Sequence, residues 1–435
     1  MFRTIVVLLL LAALPAVAQQ VTPAAESAAT LSLEDVTRQL LDTHPALAAI
    51  DRQIAAARLR LGLAAALPDP TVTASYMGSA APFKTMAMDP SSYRGITAMQ
   101  MLPLGGKREL RRSLAAVDVK SGEADALAVR RRLKAAAAAD YYDYYYATRA
   151  LEVTAKDKAR LEQMVSTTEA RYSVGKAMQA DVLRAQLEVS MLLQRQAALE
   201  EQRASAVGRL NLLMGRSVDA PLAPPSEVLC PALPPLPALV AQAGANDAGL
   251  QKNQVMLERN TLAIASAHKD YIPDLSVGYM FQQRSGMADM YGMTFSLNIP
   301  VFYKSKQRQA EAAARIDLEA TRRDRDARKL ELAYDLRQMH AMASTAGKML
   351  DLYDKAILPQ AELALESAQS SYSTGGGDFT STLASFTSIL GYQIDYLRQV
   401  ADYMTALARI EAYTGDLAND APAANEAQPA TEAKQ

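Results

Sequence analysis

Tryptophan is absent from the 435 residues, and cysteine occurs once, at Cys230. One cysteine excludes an intramolecular disulfide framework. It lies in a proline-rich stretch with no histidine or basic neighbour to activate the thiol, so it reads as idle. The only histidines, His44, His268 and His340, are far apart and lack zinc-ligand spacing. Net charge is −1, which leaves no global basic field for nucleic acid. After the first residues there is no apolar run of about 18, so no helix of the mature chain is expected to span a membrane. No Ser/His/Asp order or paired-carboxylate motif stands out. The chain is not expected to be an enzyme, and no cofactor is expected.

The N-terminus has the parts of a secretory signal: Arg3, an apolar core at Ile5–Leu14, and Ala16-Val17-Ala18 before a cut after Ala18. No cysteine follows the cut, so lipid anchoring of the N-terminus is not expected. An exported chain without a spanning helix can enter a membrane only through strands closed into a barrel.

What the chain does have is a repeat. In the stretch after Ala170, Ala185, Leu192, Leu199, Ala206 and Leu213 recur every seven residues. Val182, Val189 and Leu210 stand three positions before that series, which gives a coiled-coil seam of mixed large and small knobs. The pattern returns 200 residues later: Tyr172 with Tyr372, Gly175 with Gly375, Leu183 with Leu383, Leu210 with Ile410, Gly215 with Gly415. The chain therefore reads as a tandem duplication of a long helical hairpin. The divisions are 1–18 signal peptide, 19–215 first repeat, 216–237 proline-rich linker, 238–415 second repeat and 416–435 a tail without fixed structure.

Within the first repeat, Ser32 caps a helix expected over 33–66 with an offset at His44-Pro45. Strands are expected at 71–77 and 93–102, then one helix over 107–172, about 100 Å long. The second repeat gives a helix ending before Tyr271-Ile272-Pro273-Asp274, strands at 275–281 and 291–299, and one helix over 304–372. In those two strands apolar residues (Leu275, Val277, Tyr279, Phe281; Tyr291, Met293, Phe295, Leu297, Ile299) alternate with small or polar ones. Aromatics near both ends of an apolar face fit a lipid-facing barrel strand. The fold expected is mainly α with a small β part. Four strands cannot close a barrel, so their edges must pair with other chains; three chains give twelve strands.

Arg171-Tyr172-x-x-Gly175, Asp181-Val182-Leu183-x-Ala185-Gln186, Leu213-Met214-Gly215 and Pro68-Asp69 resemble the motifs of the TolC-type outer-membrane efflux family. The likeness runs from about Leu31 to Gly415. It implies a homotrimer in which a twelve-strand outer-membrane β-barrel continues into a periplasmic α-helical barrel. It also implies two partners: a periplasmic adaptor (membrane fusion) protein and an inner-membrane pump of the RND type. Gln100-Met101-Leu102-Pro103-Leu104-Gly105-Gly106-Lys107 resembles the Q-x-x-P-x-x-G-K strand ending of the heavy-metal cation-efflux branch. The function read from the sequence is an exit duct for heavy-metal cations such as copper or silver. The alternatives are a drug, small-molecule or type I secretion duct and, from another class, a periplasmic coiled-coil adaptor or scaffold.

Within such a duct, the turns at Tyr172, Gly175, Tyr372, Gly375, Gly376 and Gly377 become the periplasmic tips. Asp181 and Asp378 become the gate carboxylates, though each also fits a helix-start role. The resemblance places the family's gate aspartates at Ser381 and Ala384, which departs from its pattern. Lys107, Arg108, Arg111, Arg112, Lys304, Lys306 and Arg308 follow the inner strand ends, where they would face lipid phosphates. Met86, Met88, Met99 and Met101 are soft-metal ligand candidates, and gap-filling is the competing reading. Tyr141, Tyr142, Tyr144, Tyr145 and Tyr146 cover all faces of their helix and are expected to pack between helices, with some lining the pore.

Overall fold

The computed structural model describes residues 30–78, 91–284 and 287–415. The signal peptide, most of the 19–30 leader, Met86, Met88 and the 416–435 tail lie outside the described residues. Each repeat contributes two short helices, two strands and a long hairpin. The first repeat holds α1 (Leu33–Thr43), α2 (Pro45–Ala65), β1 (Thr71–Met77), β2 (Tyr93–Leu102), α3 (Lys107–Ser173) and α4 (Gln179–Leu213). The second holds α5 (Leu236–Asn246), α6 (Ala248–Lys269), β3 (Asp274–Arg284), β4 (Met290–Asn298), α7 (Gln307–Leu352), α8 (Leu358–Thr374) and α9 (Phe379–Thr414). No helix among the described residues is long and apolar enough to cross a membrane.

Local chemistry sets the breaks. Ser32 and Asp35 form a full capping box at α1. Pro45 starts α2 at the first helical position, where its missing N–H costs nothing. In the second repeat Asp247 makes the same break, accepting from the Leu250 N–H at 2.8 Å. Its carboxylate also takes two bonds from the Arg328 guanidinium of α7, at 3.2 and 2.9 Å.

The heptad series is the seam of the first hairpin. Ala185, Leu192, Leu199 and Ala206 are buried against α3, and Leu210 and Met214 close its far end. The tyrosine cluster does more than pack. Tyr141 and Tyr144 donate to the carbonyls of Leu31 (2.9 Å) and Ala223 (3.0 Å). They fix the linker 216–237 and the chain start onto α3 where helices of both repeats meet.

The helix expected over 304–372 is not one helix. Residues 301–306 are turns, α7 begins at Gln307, and a π-turn at Tyr353–Ile357 separates α7 from α8. Pro359 is the cause. It offers no N–H, and its ring would strike the carbonyl four residues earlier, so the helix takes in an extra residue. α3 has no proline and runs unbroken for 67 residues, about 100 Å.

The strands form one antiparallel sheet in the order β1-β2-β3-β4, so β1 and β4 are its edges. Register sorts the side chains. Val72, Ala98, Tyr279 and Met293 are mutually opposite, as are Ala74, Ile96, Phe281 and Tyr291. This face is uncovered: Val72, Ile96, Tyr279, Met293 and Phe295 are all more than half exposed. The other face carries Thr71, Thr73, Ser75, Thr97, Ser276, Gly278, Gly292, Thr294 and Ser296 among its members.

Lys107 corrects its expected role. It is 7% exposed and points into the joint between helix and sheet, not toward lipid. Its Nζ donates to the Ile272 carbonyl at 2.7 Å and to Asp274 Oδ1 at 2.8 Å, tying the first repeat's long helix to the second repeat's strand. Removing one partner of such a pair strands the other charge. Lys107→Met is expected to cost about 3 kcal/mol and to lower the temperature at which the protein unfolds. Asp274→Asn in the same chain should recover part of the loss. A single variant that unfolds at the wild-type temperature would remove the joint's importance.

Candidate functional site

The two hairpin turns lie together at one end of the molecule, and both are built by the same local rule. Gly175 and Gly375 adopt positive φ of 73° and 83°, a conformation that a Cβ disfavours. This lets the Lys176 N–H reach back to the Arg171 carbonyl at 2.8 Å and the Gly376 N–H to the Ser371 carbonyl at 3.0 Å. These are the five-residue closures of a Schellman turn, so each hairpin ends by satisfying its own carbonyls. A side chain at Gly377 would meet the Ser371 side chain and the Tyr372 backbone at 3.0 Å, so the second turn is also sterically tight.

Both candidate gate carboxylates are used in capping. Asp181 is 6% exposed and folded back onto its own turn, accepting from the Met178 N–H at 3.3 Å. It does not project from the tip as a pore ring requires. Asp378 is exposed and caps α9, accepting from the Ser381 N–H at 2.6 Å and its hydroxyl at 3.0 Å. The Ser381 backbone and side-chain bonds, in that order, hold its carboxyl below the ordinary value of 3.8. A depressed folded-state pKa means that this cap stabilises above 3.8 and is lost only as pH falls through the lower value. Acidification from neutrality to about pH 5 is therefore expected to leave this cap in place. An NMR titration that places the Asp378 carboxyl above its ordinary value would contradict this.

The contact that joins the tips was not singled out by sequence. Arg171, at the end of α3, donates from Nη1 to the Tyr372 carbonyl at 2.9 Å and from Nη2 to the Ser373 carbonyl at 3.1 Å. Its guanidinium carbon lies 4.3 Å from the centre of the Tyr372 ring. Tyr372 in turn meets Phe379 edge to face, 5.8 Å between centroids. Arg184 of α4 adds a 2.7 Å bond to the Thr380 hydroxyl. Two cations of the first hairpin thus grip carbonyls and a hydroxyl of the second. The only available signal was an asymmetry between repeats: 200 positions after Arg171 stands Ser371.

Above the clasp the hairpins stay packed, Leu161, Ala185 and Leu192 of the first against Phe386, Leu390 and Ile394 of the second. A cleft of about 630 Å³ opens between α3, α8 and α9, lined by Lys156, Arg160, Glu362 and Glu366 among others. Tyr172, by contrast with Tyr372, is 47% exposed and free of the clasp.

At the opposite end of the hairpins, the basic set gathers at the sheet. Arg108 donates twice to the Ala65 carbonyl, at 2.9 and 2.7 Å, and so stitches α3 to α2. Arg111, Arg112, Lys304, Lys306 and Arg308 are exposed. Met99 and Met101 lie on the polar face of the sheet.

A search of curated proteins finds no sequence relative. Among solved structures the fold is similar to CusC, at 14% identity and a TM-score of 0.74 over 88% of this chain and 92% of that one. It is similar also to the outer membrane protein VceC from Vibrio cholerae, at 14% and 0.73 over 88% and 96%. A third likeness is the MtrE outer membrane channel of Neisseria gonorrhoeae, at 16% and 0.73 over 88% of each chain. The family model described as outer membrane efflux protein matches residues 36–216 and 239–416, one match per repeat. With most of its length matched and its strands carried at the far end of two long hairpins, the chain belongs to the outer membrane efflux protein family.

Proposed function

We propose that three copies of the chain close into a twelve-strand barrel and form the exit duct of a tripartite efflux system for heavy-metal cations such as copper or silver. The sheet carries the reading. It has two unpaired edges and an uncovered apolar face, and it sits on a helical shaft about 100 Å long. Water leaves such a face and such edges unsatisfied; lipid and two neighbouring copies satisfy both. β4 runs antiparallel to the next copy's β1, so the alternation continues unbroken around the ring. Leu183, Leu187 and Met191 form an exposed apolar row along α4, each more than half exposed, and the neighbouring copy covers it.

Three roles follow for the named residues. The Arg171 clasp holds the tips together and, with the cap at Asp378, sets the closed gate. The turns at Gly175 and Gly375–Gly377 meet the periplasmic adaptor, through which an inner-membrane RND-type pump delivers cargo. Arg111, Arg112, Lys304, Lys306 and Arg308 lie at the inner lipid phosphates. The duct itself supplies no energy.

Membrane fractionation and native mass spectrometry of the detergent-extracted protein test the assembly. A trimer in the outer membrane is expected; a monomer in the soluble periplasm would favour the scaffold reading. Growth of a deletion strain, with and without the restored gene, tests the cargo. Sensitivity to copper and silver is expected, and sensitivity to drugs alone would reassign it.

A further inference from the structure

The strand pairings divide the sheet into rows, alternately on one face and the other. The rows through Leu275, Val277, Tyr279 and Phe281 make the apolar face. The rows through Ser276, Gly278, Met280, Gln282 and Arg284 make the polar face, which lines the lumen if lipid covers the first. Each of these five rows holds one methionine, and the Asp274–Asn298 row at the helical end holds none. Met101 is opposite Ser276, and Met99 is opposite Gly278. Met280 supplies the next row, and Met290 is opposite Gln282. Met77 is opposite Tyr93, which is opposite Arg284. The five come from all four strands. The apolar face holds only Met293 among the described residues.

Packing does not account for this. A methionine that fills a gap or tolerates lipid belongs on the apolar face. These five stand among threonines, serines and glycines, and Met77, Met101 and Met290 are 53%, 40% and 44% exposed. Glycines stand beside two of them, and Gly292 keeps space for one. A Cβ at Gly278 would lie 3.7 Å from the Met99 methyl, and one at Gly292 would lie 3.1 Å from that of Met280.

We infer that these thioethers form a track along the lumen wall on which soft monovalent cations, Cu(I) or Ag(I), pass from the helical end to the outer end. This rests on the duct reading and names the cargo class. Thioether sulfur selects such ions, whereas divalent zinc or cobalt prefers imidazole and carboxylate. The polar face offers neither apart from Asp274, which Lys107 already holds. Among the described residues no three His, Cys, Asp or Glu side chains gather into a metal site.

The spacing suits transit. Successive rows are about 6.7 Å apart along a strand, so five rows span about 27 Å of strand, or about 19–22 Å of depth at a barrel's usual tilt, most of its roughly 25 Å apolar band. One sulfur per row per copy binds weakly and releases readily. The Gln282 amide donates to Met280 Sδ at 3.1 Å and the Arg284 guanidinium to Met290 Sδ at 3.2 Å. An arriving ion competes with those donors, which keeps its stay short.

The test uses the purified full-length trimer, silver nitrate as probe and zinc chloride as control, with bound metal read after equilibrium dialysis. Three proteins are compared: wild type, a variant with Met77, Met99, Met101, Met280 and Met290 all changed to leucine, and Met293→Leu. Leucine keeps the apolar volume, and Met86 and Met88 are common to all three. Silver affinity should fall by about tenfold or more in the five-leucine variant, the scale at which a metal's surroundings matter. It should hold in Met293→Leu, and zinc binding should be negligible in all. Equal silver binding by wild type and the five-leucine variant would overturn the track, as would loss confined to Met293→Leu. Potassium current in planar bilayers separates the two proposals. Each is recorded with the tips closed and, through Arg171→Ala, released: current in both released proteins with equal silver binding removes the track alone; no current even from the released protein removes the duct and the track with it.

Discussion

Met293→Arg is expected to abolish the heat-resistant trimer, and Thr294→Arg, one residue on, is expected to leave it intact. The two positions differ only in the face they present. Met293 stands in the middle row of the apolar face, opposite Tyr279, and is 66% exposed in one copy. An arginine at mid-depth on the lipid side costs about 2–4 kcal/mol, and three copies multiply this to about 6–12 kcal/mol per barrel. That is comparable to the whole stability of an ordinary domain, about 5–15 kcal/mol. Thr294 pairs with Gly278 on the other face, where a guanidinium meets water. Gel mobility of unheated and heated samples reads the outcome. Equal trimer from both variants would mean that the faces are assigned the wrong way or that no lipid covers either.

The second large effect belongs to the clasp. Arg171→Ala removes two charge-assisted bonds to carbonyls and a guanidinium over an aromatic ring. Each such bond contributes about 1.5–3 kcal/mol when fully buried, and the ring contact about 0.5–1 kcal/mol. The site is half-exposed, so about 2 kcal/mol in total is expected, or about thirtyfold in the equilibrium between closed and open tips. Single-channel recordings should show a matching rise in open time, and cells should admit large antibiotics that the outer membrane normally excludes. Arg171→Lys keeps the charge but not the planar fork, and should fall between the two. Recordings from Arg171→Ala that match wild type would assign the gate to other residues.

These residues also mark what sequence could and could not reveal. The strands β1 and β2 are legible to the residue, because the Leu67-Pro68-Asp69-Pro70 and Leu102-Pro103 punctuation that brackets them is a local signal. The hairpins were legible because a seven-residue period and a repeat need no partner to be seen. Lys107 was misread because its partner, Asp274, is 167 residues away and in the other repeat. A cation at a strand end looks the same whether it faces lipid or a buried carboxylate. The clasp was hidden for the same reason: Arg171 meets Tyr372 across 201 residues. The methionine rows needed the register between strands, which alternation within one strand cannot supply. The π-turn was within reach, since Pro359 is plain in the sequence, but a strict repeat argued for copying the unbroken first helix onto the second.

That departure from the repeat reaches beyond one helix. One extra residue in a helix turns everything after it by about 100° relative to an uninterrupted rod. The first hairpin keeps a single phase throughout; the second changes phase at Tyr353–Ile357. In the proposed trimer the six hairpins would therefore be of two alternating kinds, and the shaft would keep threefold symmetry only. A ring of six identical adaptor subunits docking on it would meet two inequivalent furrows. Its subunits would have to settle in two conformations, or in pairs.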